Sequence, residues 1–273
     1  MPVARLNGTE LFYVEVGEGI PCLVLHGGLG LDHTYLHPWL DPLGDVLRLV
    51  YYDHRGAGRS GRPPADTLTF DQLAADADAL RAHLGVDRVG LLGHSFGGFV
   101  ALHYALRYPR RVARLILVST AAAWDYLAEV AANLVRRGAT EEMLRLMASE
   151  SSPDDAEAGR VFRILAPLYF TRPGAGIAGD LFRRTLFSAV AMTRGRELLR
   201  TYDLAHRLGE VAAPTLILAG RDDFITPVSQ AERLQRGIHN ATLVLLDRSG
   251  HFPHAEEPDA FQTAVRRWVT EVP

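Results

Sequence analysis

The chain has 273 residues, a net charge of −3, 48% apolar and 22% charged residues, a balance ordinary for a water-soluble globular domain large enough to bury a substantial core. All 29 basic residues are arginine and none is lysine; they form no dense stripe, which argues against a nucleic-acid partner. No stretch approaches the roughly 18 apolar residues of a membrane span, and the first six residues lack an apolar leader, so a cytoplasmic location without membrane attachment is expected.

Residues 3–16 alternate in hydrophobicity around Asn7-Gly8, a strong short hairpin signal. A short apolar strand at 21–25, holding the lone Cys22 as a small core residue, runs into His26-Gly27-Gly28-Leu29-Gly30. The spacing predicts a helix over part of 33–44, made irregular by Pro38 and Pro42. Residues 46–52 read as a further strand, closed by Asp53-His54-Arg55-Gly56-Ala57-Gly58-Arg59-Ser60. A helix from Thr69 to about Leu84 carries Leu73, Ala77, Leu80 and Leu84 on one face. Strand 89–92 then meets a helix over 96–107 through Gly93-His94-Ser95-Phe96-Gly97, and a buried strand follows at 113–118.

From about 121 to 206 no strand pattern appears. Helical spacing recurs in 124–137, 140–149, 156–170 and 180–200, with breaks at Asp154-Asp155, Pro167, Arg172-Pro173-Gly174 and Gly176. This segment reads as a helical lid inserted into a core formed by 1–120 and 207–273. Its Trp124, Tyr126, Leu127, Phe162, Leu165, Tyr169, Phe170, Phe182, Phe187 and Met192 are divided between internal packing and whatever pocket the lid covers. Strands return at 214–219 and 241–246, with helices over 229–237 and 258–270. Alternating apolar strands and helices predict a mostly parallel sheet covered on both faces, whose ligands bind at the strand carboxyl ends.

The chemistry gathers at those ends. Gly93-His94-Ser95-Phe96-Gly97 fits G-x-S-x-G, a strand-to-helix corner that exposes a serine hydroxyl at the mouth of a helix. A serine needs a base to take its proton, and the base needs a carboxylate on its far side. His251 follows the last strand, with His254 as a rival, and Asp222 and Asp223 follow the strand before it. No cysteine–histidine cluster or phosphate-binding loop is present, so no cofactor and no metal are expected.

Five pieces in order resemble the α/β-hydrolase family: His26-Gly27-Gly28, the Asp53–Ser60 loop, Gly93–Gly98, Pro214-Thr215-Leu216 through Asp223, and Gly250-His251-Phe252-Pro253-His254 with Glu256 and Pro258. The resemblance spans essentially the whole chain. It implies an α/β-hydrolase fold, an eight-stranded mostly parallel sheet with a cap. It also implies a triad of Ser95, Asp223 (the Asp of Gly-x-x-Asp counted from Gly220) and His251. The backbone N–H groups of Gly28 and Phe96 would form the oxyanion hole, His26 would brace the loop, and His94, Asp53 and Arg55 would be structural. A serine in place of an aspartate nucleophile argues against epoxide hydrolysis and dehalogenation.

The Gly28-Leu29-Gly30 loop is similar to that of proline iminopeptidases, although Leu29 stands where they carry proline and Gly93-His94-Ser95 is more esterase-like. An aminopeptidase also needs lid carboxylates for the substrate's ammonium, and Asp125, Glu129, Glu141, Glu142, Glu150 and Glu157 are the candidates. The expected activity is cleavage of small carboxylic esters or lactones, with a small-molecule acyl substrate as partner. Proline iminopeptidase and a slow-turnover small-molecule receptor are the alternatives, and the oligomeric state stays open between monomer and dimer.

Overall fold

The computed structural model describes residues 2–149, 152–171 and 176–272. Eight strands form one sheet: β1 (Val3–Leu6), β2 (Thr9–Val16), β3 (Ile20–Leu25), β4 (Leu47–Tyr52), β5 (Val89–His94), β6 (Val112–Val118), β7 (Thr215–Gly220) and β8 (Ala241–Leu246). Their spatial order is β1-β2-β4-β3-β5-β6-β7-β8. The β1–β2 and β2–β4 pairs are antiparallel and all others parallel. The β1–β2 hairpin turns through Asn7 (φ 48°) and Gly8 (φ 76°), the positive dihedrals that a two-residue turn needs to match strand twist.

The pleat sends alternate residues of the parallel strands into two cores. Leu23, Leu25, Leu91, Leu115, Leu117 and Ile217 enter one, while Val24, Leu92, Ile116, Val118, Leu216 and Leu218 enter the other. Burial on both faces is why these strands read as continuous apolar runs. The first core is covered by α1 (Phe70–His83), α2 (Phe96–Arg107) and α8 (Val228–Gly237); the second is covered by α9 (Pro253–Glu256) and α10 (Pro258–Glu271) with the 33–45 segment. Thr69 caps α1 by accepting from Gln72 N at 3.1 Å. Leu73, Ala77 and Leu80 form its buried stripe, with Leu84 only partly covered.

Between β6 and β7 lie α3 (Leu127–Arg136), α4 (Glu141–Ala148), α5 (Asp155–Leu165), α6 (Ile177–Phe182) and α7 (Ala189–Leu199). The Asp154-Asp155 break is a helix start, because Asp154 accepts from Glu157 N at 2.8 Å. Glu150 and the Arg172-Pro173-Gly174 break lie outside the described residues.

Two expectations are corrected. Residues 33–44 form no α-helix but two 3-10 turns, His33–Tyr35 and Asp41–Asp45. Two prolines without N–H donors deny the segment a continuous α-helical ladder. Residues 180–200 are two helices rather than one. The chain between α6 and α7 is tied to the loop after β3: Ser188 N donates to Gly30 O at 2.8 Å and Leu186 N to Asp32 Oδ2 at 3.2 Å. Backbone groups committed to that loop are withdrawn from a helical ladder, and Ser188 restarts the helix as the N-cap of α7.

Candidate active site

The β5–α2 corner holds Ser95 at φ 53°, ψ −119°, a sparsely populated conformation that costs about 1–3 kcal/mol unless its surroundings enforce it. They do so here. Ser95 N donates to Val118 O at 2.9 Å, and Ser95 O accepts from Thr120 Oγ1 at 2.9 Å and Gly98 N at 2.8 Å. A Cβ on Gly97 would run into the carbonyl of Leu25, so only glycine lets α2 approach β3 this closely.

Asp223 and His251, at the ends of β7 and β8, meet through Asp223 Oδ2 and His251 Nδ1 at 2.7 Å, both side chains buried. The carboxylate also accepts from Ile225 N and Thr226 N at 3.0 Å and from Thr226 Oγ1 at 2.6 Å. Four bonds to one carboxylate fix its orientation. Asp222 is exposed, and its contribution is a backbone bond to Ser249 O at 2.9 Å. With Nδ1 engaged, Nε2 is the nitrogen left to accept a proton. The histidine backbone is held as well, His251 N donating to Tyr169 O at 2.7 Å. Glu256 secures the preceding turn by accepting from Gly250 N and Thr171 N, both at 2.7 Å.

His254 and His26 are engaged with backbone groups near the site. His254 is buried with Nε2 3.3 Å from Tyr35 O. His26 Nε2 accepts from His54 N at 3.0 Å, so the two loops after β3 and β4 brace each other. Asp53 accepts from His33 Nδ1 at 2.7 Å and Arg59 N at 2.8 Å, and its bonds with His33 hold its carboxyl below the usual range against the penalty of burial. Arg55 turns instead to Asp76, at 2.7 Å through Nη2. Asp32, His33 and Asp53 bring ligand-type atoms within 4.8 Å of one another. Their oxygens are already engaged, Asp32 by Thr34, Arg59 and Leu186, so the cluster is a hydrogen-bonded brace.

Sequence reasoning missed Tyr35. Its hydroxyl accepts from Gly27 N at 2.5 Å and lies 2.9 Å from His94 Nδ1, while His94 Nε2 lies 2.8 Å from His251 O. Because Gly27 N is a donor, the hydroxyl proton goes to His94 Nδ1, and His94 Nε2–H then donates to His251 O. Neutral His94 thus links the loop after β3 to the backbone of His251. Burial pushes its pKa well below the usual histidine value. Tyr35→Phe should lower stability by about 1–3 kcal/mol, since it leaves the buried Gly27 N–H and His94 Nδ1 unpaired. Urea unfolding at neutral pH checks this.

His254 adds a pH signature. Burial depresses its pKa to about 4 from an ordinary 6.5. A depressed histidine costs nothing above pH 6.5, where folded and unfolded chains are both neutral. As pH falls from 6.5 towards 4 only the unfolded chain takes the proton, and about 3 kcal/mol is lost. Unfolding free energies at pH 7 and pH 4.5 should therefore differ less in His254→Gln than in the native protein.

Ser95, Phe96, His251 and Gly28 line one cavity of about 180 Å³ between the sheet rim and the α3–α7 segment. Gly28 (φ 44°) sits in the loop after β3. Phe96 opens α2, whose first N–H groups have no partner within the helix. Of the aromatic and apolar candidates between β6 and β7, Trp124, Phe162, Leu165, Tyr169 and Met192 reach this cavity. Tyr126, Phe170, Phe182 and Phe187 are buried in packing, and Leu127 is exposed. None of the described carboxylates from 125 to 157 lines it; Asp125 pairs with Arg233, Glu129 with Ser229 and Glu157 with Arg160.

A model of the alpha/beta hydrolase fold matches residues 21–146, and one described as TAP-like protein matches 189–272. A putative carbamate hydrolase RutD of Agrobacterium fabrum is 31% identical, over 91% of this chain and 93% of that protein. The chain belongs to the α/β-hydrolase fold family. A proline iminopeptidase, PfmaB, of Pestalotiopsis fici is 30% identical over 96% of both chains. The solved structure of a thermophilic esterase from Thermogutta terrifontis superposes with a TM-score of 0.80 at 26% identity, covering 100% of this chain and 99% of that one.

Proposed function

We propose that this protein is a serine hydrolase of small carboxylic esters or lactones. The carrying observation is the 2.7 Å contact of His251 Nδ1 with the buried Asp223 carboxylate, with His251 lining the same cavity as the corner serine. In this reading His251 Nε2 takes the Ser95 proton as Oγ bonds to the acyl carbon. The oxyanion is met by the N–H groups of Gly28 and Phe96, each worth about 3 kcal/mol in comparable sites. The proton then passes from His251 to the departing alkoxide. Water, deprotonated by the same nitrogen, cleaves the acyl-enzyme and frees the acid. The α3–α7 segment serves as the lid that excludes solvent and shapes the acyl pocket.

The identity to proline iminopeptidases favours a second reading, cleavage of an N-terminal proline amide. That chemistry calls for a carboxylate facing the substrate ammonium, and the described cavity lining contains none. Turnover of p-nitrophenyl butyrate against proline p-nitroanilide separates the two: the ester should be cleaved faster, and preference for the amide would reverse the assignment. Near-zero turnover of both, with tight binding of a small ligand, would make the protein a receptor.

A further inference from the structure

Helix α7 turns one stripe towards the cavity: Met192, Gly195, Arg196 and Leu199 all line it, at the three- and four-residue spacing of a single helix face. Gly195 is the close-approach point, since a Cβ there would meet Leu29 at 2.8 Å. Arg196, next along, is the only charged member of that stripe, and it is half-buried. Among the described lining residues it is also the only one carrying a permanent charge. Beside the polar Tyr35, His94, Ser95, Thr226 and His251, the wall is aromatic and aliphatic, set by Phe96, Phe99, Trp124, Phe162 and Leu165.

A cation on the apolar face of a helix is expensive to desolvate and calls for an anionic counterpart. Arg196 Nη1 donates to Ser149 O at 2.6 Å, a neutral partner that takes one of the guanidinium's five N–H donors and cancels none of its charge. Burial pushes the Tyr169 hydroxyl up to about 12, a rise that the Arg196 charge opposes, and the Tyr169 ring lies 5.5 Å from that of His251. The site therefore offers two features: a nucleophile at the sheet rim, and an arginine on the lid side that lines both this cavity and the neighbouring depression beside Ser149 and Glu197. Guanidinium geometry matches a carboxylate bidentately.

We propose that Arg196 is a specificity residue that binds a carboxylate on the substrate, making the substrate class small esters or lactones that bear a second, free carboxylate. This rests on the ester hydrolase reading above. The arginine would hold the remote carboxylate while Ser95 attacks the ester carbonyl, so the charge contributes to binding and orientation and takes no part in bond making.

The test compares p-nitrophenyl monoesters of succinate and glutarate with the neutral butyrate and valerate esters, on the full-length protein. The native enzyme should favour the carboxylate-bearing esters, with a KM that rises with added salt. In Arg196→Gln the ratio of kcat/KM for charged over neutral esters should fall about 10- to 100-fold, mostly through KM, as expected for loss of a charge-assisted bond. Arg196→Lys should recover part of that ratio, which a purely structural bond to Ser149 would not predict for charged substrates alone. Equal losses on both ester types, or a native preference for the neutral ones, would overturn the proposal. If the native protein cleaves neither type, glutarate binding to Ser95→Ala and to Ser95→Ala/Arg196→Gln is compared by calorimetry. Weaker binding in the double variant keeps the anion site while the hydrolase reading falls; equal or undetectable binding in both removes the site as well.

Discussion

Replacing Ser95 by alanine is expected to reduce ester turnover by about 10⁴- to 10⁶-fold, the scale seen when a serine nucleophile is removed from an intact triad. The substitution keeps the Cβ, and the backbone bonds that hold the corner, from Ser95 N to Val118 O and from Thr120 Oγ1 to Ser95 O, do not involve the hydroxyl. Melting temperature and circular dichroism should therefore stay close to those of the native protein, and binding of a carboxylic acid product should persist. Stopped-flow measurement with a p-nitrophenyl ester gives the second check: on the proposed mechanism the native enzyme should release nitrophenol through an acyl-enzyme, and the variant has no atom on which to form one. A Ser95→Ala protein with undiminished turnover would remove the serine mechanism altogether.

The second large effect is expected at Asp223. Asparagine at this position is nearly isosteric, yet it exchanges an acceptor for an amide whose N–H₂ can face His251 Nδ1. That would stabilise the tautomer with its proton on Nε2, the nitrogen that has to be empty to accept from Ser95. A loss of about 10⁴-fold in kcat is expected, with KM little changed because the carboxylate does not line the cavity. The neighbour provides the control. Asp222 is exposed and contributes a main-chain N–H to Ser249 O, which asparagine preserves, so Asp222→Asn should behave as the native enzyme. Reversal of the two results would transfer the acid role to Asp222 and break the link between the 2.7 Å contact and activity.

Much of the architecture was legible because it follows from short-range rules. Asn7-Gly8 announces a turn that only positive dihedrals can make, and the apolar runs at β3 to β7 announce strands buried on both faces. Gly97 marks a helix pressed against its neighbouring strand. Ser95, Asp223 and His251 were nameable because each lies in the corner or loop that follows a strand and matches a family motif, Asp223 as the Asp of Gly-x-x-Asp, and parallel topology sends such ends to one rim. The choice between Asp222 and Asp223 needed more than the strand end. One residue of displacement along the turn points one carboxylate into the protein and the other into water.

What stayed hidden depends on partners distant in the chain. Tyr35 lies in a stretch whose two prolines predict only irregularity, and its role arises from Gly27 and His94 meeting over its hydroxyl. The division of 180–200 into two helices comes from Gly30 and Asp32, more than 150 residues away, claiming backbone groups that an isolated segment would have used for a helix. Arg196 reads as one polar residue among several on an amphipathic helix until α7 is docked and its stripe is seen to face the cavity. The sequence by itself therefore determined the sheet, the corner and the candidate triad, since these rest on backbone geometry and strand order. Only the tertiary structure decided which acid meets the histidine, what steadies the loops around it, and which side chains a substrate would touch. Those outcomes depend on side-chain direction and on contacts across the fold, and neither is encoded in local spacing.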